Sequence, residues 1–286
     1  MKKRFNPFAK KRKPQTFYGS KCIGEIATHL ADYIVKHGGR ILLNSSVEEI
    51  EMSNGKVKKI YVRRDGKRHS VSSDFFVSSV KIPDLIGMIR PAPEPGVRNA
   101  SGALKYRDLI VLYLVVQKPK ILDYCLIYFS PKETTFKRIT EFKYFSPEMM
   151  PQNETTLALE ICADRGDEIW HCQDNEILER LLTELEQLEI LGREDVLEYF
   201  VLRVPSVYPV YFLNYKSQLK VVLDYLKDVE NLVSIGRQGL YQHDNMVTAI
   251  ESGFSTVGLI ENHGDRLQEV GEAVYHERLH KYDDMA

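Results

Sequence analysis

The feature that most constrains this fold is a stretch of period-two alternation broken twice by tight-turn dipeptides. Val47-Glu-Glu-Ile50-Glu-Met52 alternates, Asn54-Gly55 interrupts it, and Val57, Ile60 and Val62 resume it until Asp65-Gly66, after which His69 to Val71 starts the return. Asn-Gly and Asp-Gly supply the left-handed backbone that a two-residue hairpin needs, so the spacing predicts an antiparallel meander. On its N-terminal side, residues 23–37 carry Ile23, Ile26, Ala27, Leu30, Ile34 and Val35 at helical spacing, and Gly38-Gly39 ends the helix. The apolar run Arg40-Ile-Leu-Leu43 reads as a short strand, and Asp74 to Ser79 reads as a buried strand leading to Pro83.

The middle of the chain has another pattern. Pro91, Pro93 and Pro95 read as a linker. Beyond it, residues 109–116, 126–129, 155–161, 196–204 and 207–212 read as strands. The intervening helices are 175–188, with Asp174 as N-cap, and 215–226. Strands with few crossovers and flanking helices predict an antiparallel sheet, so the class is α/β with an α+β portion. The last third returns to a short buried strand, 231–235, then a polar loop and a helix over 245–260.

Composition excludes more than it selects. With 39 basic and 40 acidic residues, the chain gives no whole-molecule argument for nucleic acid as a partner. Seven of the first thirteen residues are basic, which reads as a solvated leader. No run of apolar residues is long enough to span a bilayer, and no signal-peptide core follows the basic start. Cys22, Cys125, Cys162 and Cys172 are scattered, which points to free thiols and a cytoplasmic location.

Two motifs invite a catalytic reading and are set aside. His276-Glu277-Arg-Leu-His280 matches the zinc-protease helix, in which two histidines one turn apart bind metal. Arg278 stands where a buried metal helix is apolar, and the flanking Tyr282-Asp-Asp is acidic, so no metal is expected. Gly19-Ser-Lys-Cys-Ile-Gly24 has half of a phosphate-loop spacing, but Glu25 stands where a lysine must reach phosphate.

The ordered blocks together resemble the flavin amine oxidase superfamily, which includes protoporphyrinogen oxidases and UDP-galactopyranose mutases. The helix with Gly38-Gly39, the Val47-to-Ile50 meander and the strand ending at Ser78-Ser79 are similar to the second segment of its dinucleotide domain. Ile235-Gly236-Arg237, then Tyr241 and Asn245-Met246, resemble its C-terminal flavin motif, with Val247 where many members have Asp. The stretches around Tyr106-Arg107, Trp170 and Arg203 to Tyr208 resemble bacterial and archaeal members found with sugar-nucleotide biosynthesis.

That resemblance implies a partial FAD-binding Rossmann-like domain over 15–90 and 228–265. It also implies a substrate domain over 91–227, with a basic leader over 1–14 and a tail helix over 266–286. It implies FAD contacts at Val47, Ser78, Ser79, Gly236, Arg237, Asn245 and Met246, and a substrate cavity near Tyr106, Arg107, Arg203, Tyr208 and Tyr241. The departure is that no GxGxxG occurs among the 17 glycines, so the pyrophosphate cradle is expected on a separate N-terminal companion chain. The competing reading is a non-catalytic remnant, or a binding module derived from the same family.

Overall fold

The computed structural model describes residues 22–130, 132–263 and 273–275. The basic leader, the start of the Gly19 turn and the His276–His280 pair lie outside them. Of the expected tail helix, residues 273–275 are described and are helical. In chain order the elements begin with α1 (Glu25–Lys36), β1 (Ser45–Ser53), β2 (Lys56–Arg64), β3 (Lys67–Val71) and β4 (Phe76–Ser78). They continue with α2 (Ile82–Met88), β5 (Ile89–Arg90), α3 (Pro95–Ala103), β6 (Tyr106–Val116), β7 (Leu126–Tyr128), β8 (Arg138–Glu141) and β9 (Thr155–Ala163). The last are α4 (Glu168–His171), α5 (Asp174–Gln187), β10 (Val196–Pro209), α6 (Tyr215–Lys227), β11 (Leu232–Ser234), α7 (Gly236–Gly239) and α8 (Met246–His263).

Two compact units share these elements. One takes the segment through Ile41, Val111–Ile161 and Cys172–Leu202; the other takes Leu42–Ile110, Cys162–His171 and the chain from Arg203 onward. The cuts fall after Ile41, within β6, β9 and β10, and at the end of α4.

The second unit contains the meander. β1 pairs antiparallel with β2 and β2 with β3, joined by turns in which Asn54, Gly55, Asp65 and Gly66 all have positive φ. These are the left-handed conformations that the two dipeptides were expected to supply. β5 adds to β1 in parallel, giving the order β3-β2-β1-β5, and β4 pairs in parallel with β11 as a separate two-stranded sheet. Leu219, Val222, Leu223 and Leu226 of α6 recur at helical spacing and pack with Ile82, Leu85, Ile86 and Ile89 around Val233 and Tyr241. Each such side chain contributes roughly 1.5–3 kcal/mol of gross burial energy.

In the first unit lies most of a five-stranded sheet ordered β10-β6-β9-β8-β7. β7, β8 and β9 pair antiparallel, with Leu126 opposite Thr140 and Arg138 opposite Glu160. Helix α5 buries Ile177, Leu181, Leu182 and Leu185. Glu141, only 1% exposed, is satisfied by the Ile121 and Leu122 N–H groups and by the Thr155 hydroxyl at 2.8 Å.

Several local expectations are corrected. Residues 40–43 form no strand; Ile41, Leu42 and Leu43 are exposed and no neighbouring strand offers backbone partners among the described residues. A short apolar run becomes a strand only when another strand pairs with it. The proline-rich stretch ends in helix α3, which Pro95 opens, and α2 lies just ahead of it; Pro83 and Pro95 occupy first-turn positions where the missing N–H costs nothing. The N-cap of α5 is Gln173, in a reciprocal capping box with Glu176, one residue before the expected Asp174. The segments 196–204 and 207–212 join into one strand as far as Pro209, with Ser206 at φ 57° between them.

Candidate functional site

The site is built where β4 and β11 end side by side in the second unit. Ser78 is paired with Ser234, and Ile235 N–H donates to the Ser78 carbonyl at 2.8 Å. The chain then turns at Gly236, whose φ of 73° few other residues adopt without strain. A Cβ there would meet nothing within 4 Å, so bare backbone faces open space. Gly239 is the opposite case: a Cβ would lie 2.5 Å from Ser234 Oγ and 3.2 Å from the Ser78 carbonyl oxygen. It seats α7 directly on the two strand ends, where Ser234 Oγ donates to the Gly239 carbonyl at 2.8 Å.

Behind this turn stands a group of aromatic rings. Tyr241 is fully buried, its hydroxyl within reach of two carbonyls, Lys105 O at 2.8 Å and Val210 O at 2.6 Å. Its ring meets that of Tyr106 edge to face at 5.2 Å, and the Tyr106 hydroxyl donates to the Gln238 carbonyl at 3.0 Å. Burial pushes both hydroxyls well above the usual tyrosine range, that of Tyr241 to about 12. Both stay protonated at neutral pH, and their hydroxyls brace the loop by donating to backbone carbonyls.

On the more exposed side, Arg237 lies over the Tyr208 ring at 5.1 Å and donates to the Asp244 carbonyl. Tyr208 in turn stacks on His243 at 5.0 Å, whose N–H donates to the Tyr211 hydroxyl at 2.8 Å. The guanidinium is thereby held over a ring. Asn245 Oδ1 accepts the Thr248 N–H at 3.0 Å and the Thr248 hydroxyl at 2.9 Å, which caps α8. Met246, the first residue of α8, is 43% exposed beside it.

Of the residues singled out from sequence, Tyr106, Tyr208, Gly236, Arg237 and Tyr241 are joined by direct contacts or chain continuity. Ser78 is on the adjoining strand end, Ser79 follows it, and Asn245 and Met246 open α8. The others stand apart from these contacts. Val47 is paired with Val62 in the meander, Arg107 forms an ion pair with Asp164 at 3.1 Å, and Arg203 Nε donates to the Trp170 carbonyl at 3.1 Å.

Four residues escaped the sequence reading. Asp108, 5% exposed, accepts the Ser206 N–H at 2.5 Å and faces Arg165 Nε at 3.4 Å. Ser206, held at positive φ, meets the Lys81 ammonium through its hydroxyl at 3.3 Å. Gln238 donates to the Ser206 carbonyl at 2.6 Å, while its own side-chain oxygen is buried with no partner among the described residues. Asp108, Ser206 and Gln238 lie within stretches the sequence reading did single out, though not as named contacts; Lys81 carries no motif.

These features suit one end of a dinucleotide flavin. An open glycine backbone, a capped helix N-terminus, a braced arginine and a buried acceptor lacking its donor fit a flat ring with N–H and carbonyl edges. No GxGxxG occurs in this sequence. Among the described residues no cluster of His, Cys, Asp and Glu could hold a metal ion, and no helix is long and apolar enough to cross a membrane.

Comparison with known proteins decides the family. The model for flavin containing amine oxidoreductases matches residues 7–253. The chain belongs to that family. No curated protein matches it. Among solved structures it is similar to a reduced UDP-galactopyranose mutase, with a TM-score of 0.73 and 17% identity over 89% of this chain and 55% of that one. It is also similar to a putrescine oxidase triple mutant redesigned in cofactor binding, with a TM-score of 0.60 and 14% identity over 86% and 54%. An oxidoreductase from Methanosarcina mazei gives a TM-score of 0.59 and 16% identity over 83% and 54%. The chain spans about half the length of each of these structures.

Proposed function

We propose that this chain is the C-terminal portion of an FAD-dependent oxidoreductase of the amine oxidase type. In this reading it holds the flavin ring and the substrate, while a separate N-terminal chain carrying strand, GxGxxG turn and helix holds the pyrophosphate. The observation that carries the reading is the joint end of β4 and β11. There the open Gly236 backbone, the buried unpartnered Gln238 oxygen two residues on and the Asn245-capped start of α8 follow one another along the chain, which we read as the seat of a flat ring.

When bound, the flavin would supply the acceptor for the two electrons and hydrogen removed from substrate. The chain's own residues bind and orient. Gly236 and Ser78 would let the ring approach the strand ends closely, and Gln238 Oε1 would accept from a ring N–H. Arg237, already pinned by Tyr208 and Asp244, would place a fixed positive charge without reorganisation on binding. Tyr106 and Tyr241 keep the turn rigid beneath it. The substrate reading rests on sequence resemblance in the middle segments and points to sugar-nucleotide or cell-envelope metabolism.

The test is to purify the chain alone and together with the polypeptide encoded beside it that carries GxGxxG, and to record the visible flavin band. The lone chain is expected to be colourless and the pair yellow at one flavin per pair. Stoichiometric flavin on the lone chain would overturn the claim that its site is incomplete.

A further inference from the structure

One residue of β10 is held in a conformation that the interior of a strand disfavours. Ser206 has a φ of 57° within the strand Val196–Pro209. That left-handed region suits glycine, and a serine keeps to it only where its surroundings hold it there. Each of its polar groups is gripped by a side chain from elsewhere in the second unit. The N–H donates to Asp108 Oδ1 at 2.5 Å, the hydroxyl accepts from the Lys81 ammonium at 3.3 Å, and the carbonyl accepts from Gln238 Nε2 at 2.6 Å. Asp108 is itself buried, on the neighbouring strand β6, and its other oxygen faces Arg165 Nε at 3.4 Å.

The kink decides which way Gln238 presents its amide. In a regular strand consecutive carbonyls point to opposite edges, so a single donor meets only one of them. Here Gln238 Nε2 donates to the Ser206 carbonyl at 2.6 Å and to the Val207 carbonyl at 3.2 Å. The left-handed residue turns both carbonyls to one side, as a bulge does. Only the NH2 end of an amide can donate to them, so its oxygen must point the other way. The Tyr106 hydroxyl fixes the same residue's backbone by donating to its carbonyl at 3.0 Å. What remains is Gln238 Oε1, shielded from water and without a donor among the described residues. Such an acceptor favours a ligand that brings an N–H and discriminates against an analogue that lacks it.

We propose that Asp108 is a positioning residue. By holding Ser206 left-handed, it fixes the Gln238 amide so that the site offers a ring an acceptor rather than a donor. This rests on the flavin reading above, and the edge that such an acceptor selects on an isoalloxazine is its imide N–H. Asp108 and Ser206 touch no ring in this arrangement; they act through the amide. Arg165 is exposed, so it steadies the Asp108 carboxylate without being needed for the bond to Ser206.

The test adds an excess of free ring to the chain alone. One probe is lumiflavin, the isoalloxazine without ribityl chain or phosphates; the other is 3-methyllumiflavin, which lacks the imide N–H. Binding is read from quenching of flavin fluorescence, and the stability of each chain from its urea midpoint. The natural chain is expected to prefer lumiflavin by about fivefold. Gln238→Leu should lose most of that preference, the remainder being the bulk of the methyl group. Asp108→Ala should reduce it by at least about threefold. Asp108→Asn, which still accepts the Ser206 N–H, should restore it. Ser206→Gly in the Asp108→Ala chain should restore it as well, although stability stays low, because glycine keeps the left-handed angle without a brace.

Equal loss of affinity for both rings in Asp108→Ala, in step with its urea midpoint, would overturn the proposal and leave Asp108 a structural residue only. So would an Asp108→Asn chain that folds as the natural one does and yet fails to discriminate. Where Asp108→Ala does not fold, Ser206→Val decides, since valine rejects the left-handed angle and suits a strand. An unchanged preference in that variant overturns the proposal. A natural chain that binds both rings equally overturns the selection by Gln238 and leaves the flavin reading standing. A natural chain that binds neither ring overturns the flavin reading, and the proposal with it.

Discussion

Asn231 grips the backbone of Val57 from both directions: its Oδ1 accepts the Val57 N–H at 2.8 Å, and its Nδ2 donates to the Val57 carbonyl at 3.0 Å. The two residues are 174 positions apart, and the pair is buried. The Asn231 carbonyl also accepts the Phe76 N–H, so one residue fastens the start of β2 to the β4–β11 sheet. Asn231→Leu strands a buried donor and a buried acceptor of Val57, each costing roughly 1–3 kcal/mol. We expect a loss of about 2–5 kcal/mol in urea unfolding. Asn231→Asp should fare no better, because a carboxylate oxygen would face the Val57 carbonyl. Unchanged unfolding midpoints would show that the clasp adds nothing to the fold.

Gly239 is the tightest point of the site. Its missing side chain makes room for Ser234 Oγ and the Ser78 carbonyl; the carbonyl is held by the Ile235 N–H, and the hydroxyl could turn away only by giving up its bond to the Gly239 carbonyl. Gly239→Ala forces α7 off the strand ends, an overpacking that costs about 1–3 kcal/mol. If the proposed flavin reading holds, flavin uptake should fall more than stability does, because Gly236, Arg237 and Gln238 all move with α7. Gly236→Ala meets no atom but strains a positive φ, costing about 1 kcal/mol. Equal losses of flavin binding for the two substitutions would show that backbone angle, and not the close seat of α7, sets the geometry.

The parts of this fold that could be read from sequence are those whose cause is local. The turns at Asn54-Gly55 and Asp65-Gly66 need only their own backbone angles, and α1 and α6 need only helical spacing. Residues 40–43 misled because a strand is completed by its neighbour, and the neighbour is not written in the run itself. The helices α2 and α3 were hidden by prolines, which break helices in general and start them at the first turn. At the site, Gly236, Arg237 and Asn245 were legible as consecutive elements of one motif. Asp108, Ser206, Lys81 and Gln238 were not, because their roles exist only through contacts between segments far apart in sequence. Tyr241 was read as a substrate contact from its place in the motif; the structure buries its ring and sets its hydroxyl between the Lys105 and Val210 carbonyls.

Asn245 caps α8 through Thr248, so its removal can be separated from any contact with a ligand. Asn245→Ala is expected to cost about 1 kcal/mol of stability, and Asn245→Ser or Asn245→Asp only a few tenths, since both can still accept the Thr248 N–H. Chemical denaturation of the three variants reads the cap alone. If flavin uptake by the pair follows the cap order, Asn245 acts by holding the helix start in place. If Asn245→Ser keeps stability and loses flavin, the amide itself contacts the ring.

The buried tyrosines set an alkaline limit on the fold. The Tyr241 hydroxyl ionises in the folded chain only at about 12, raised chiefly by burial from the ordinary tyrosine value of 10.0, and Tyr106 and Tyr275 are raised for the same reason. A group whose folded pKa lies above its unfolded one contributes stability that is fully present below the unfolded value. That contribution is lost as pH rises towards the folded value, because the unfolded chain gives up its proton first. Stability measured by urea midpoint should therefore show no tyrosine-dependent slope below about pH 10 and fall between about pH 10 and 12. Tyr241→Phe keeps the ring against Tyr106 and loses one hydrogen bond to the Lys105 and Val210 carbonyls, costing about 1 kcal/mol at neutral pH. It should also flatten part of the alkaline slope, leaving the shares of Tyr106 and Tyr275. An identical slope in the variant would mean that Tyr241 ionises equally in the folded and unfolded chains, and that its hydroxyl is not the locked prop described above.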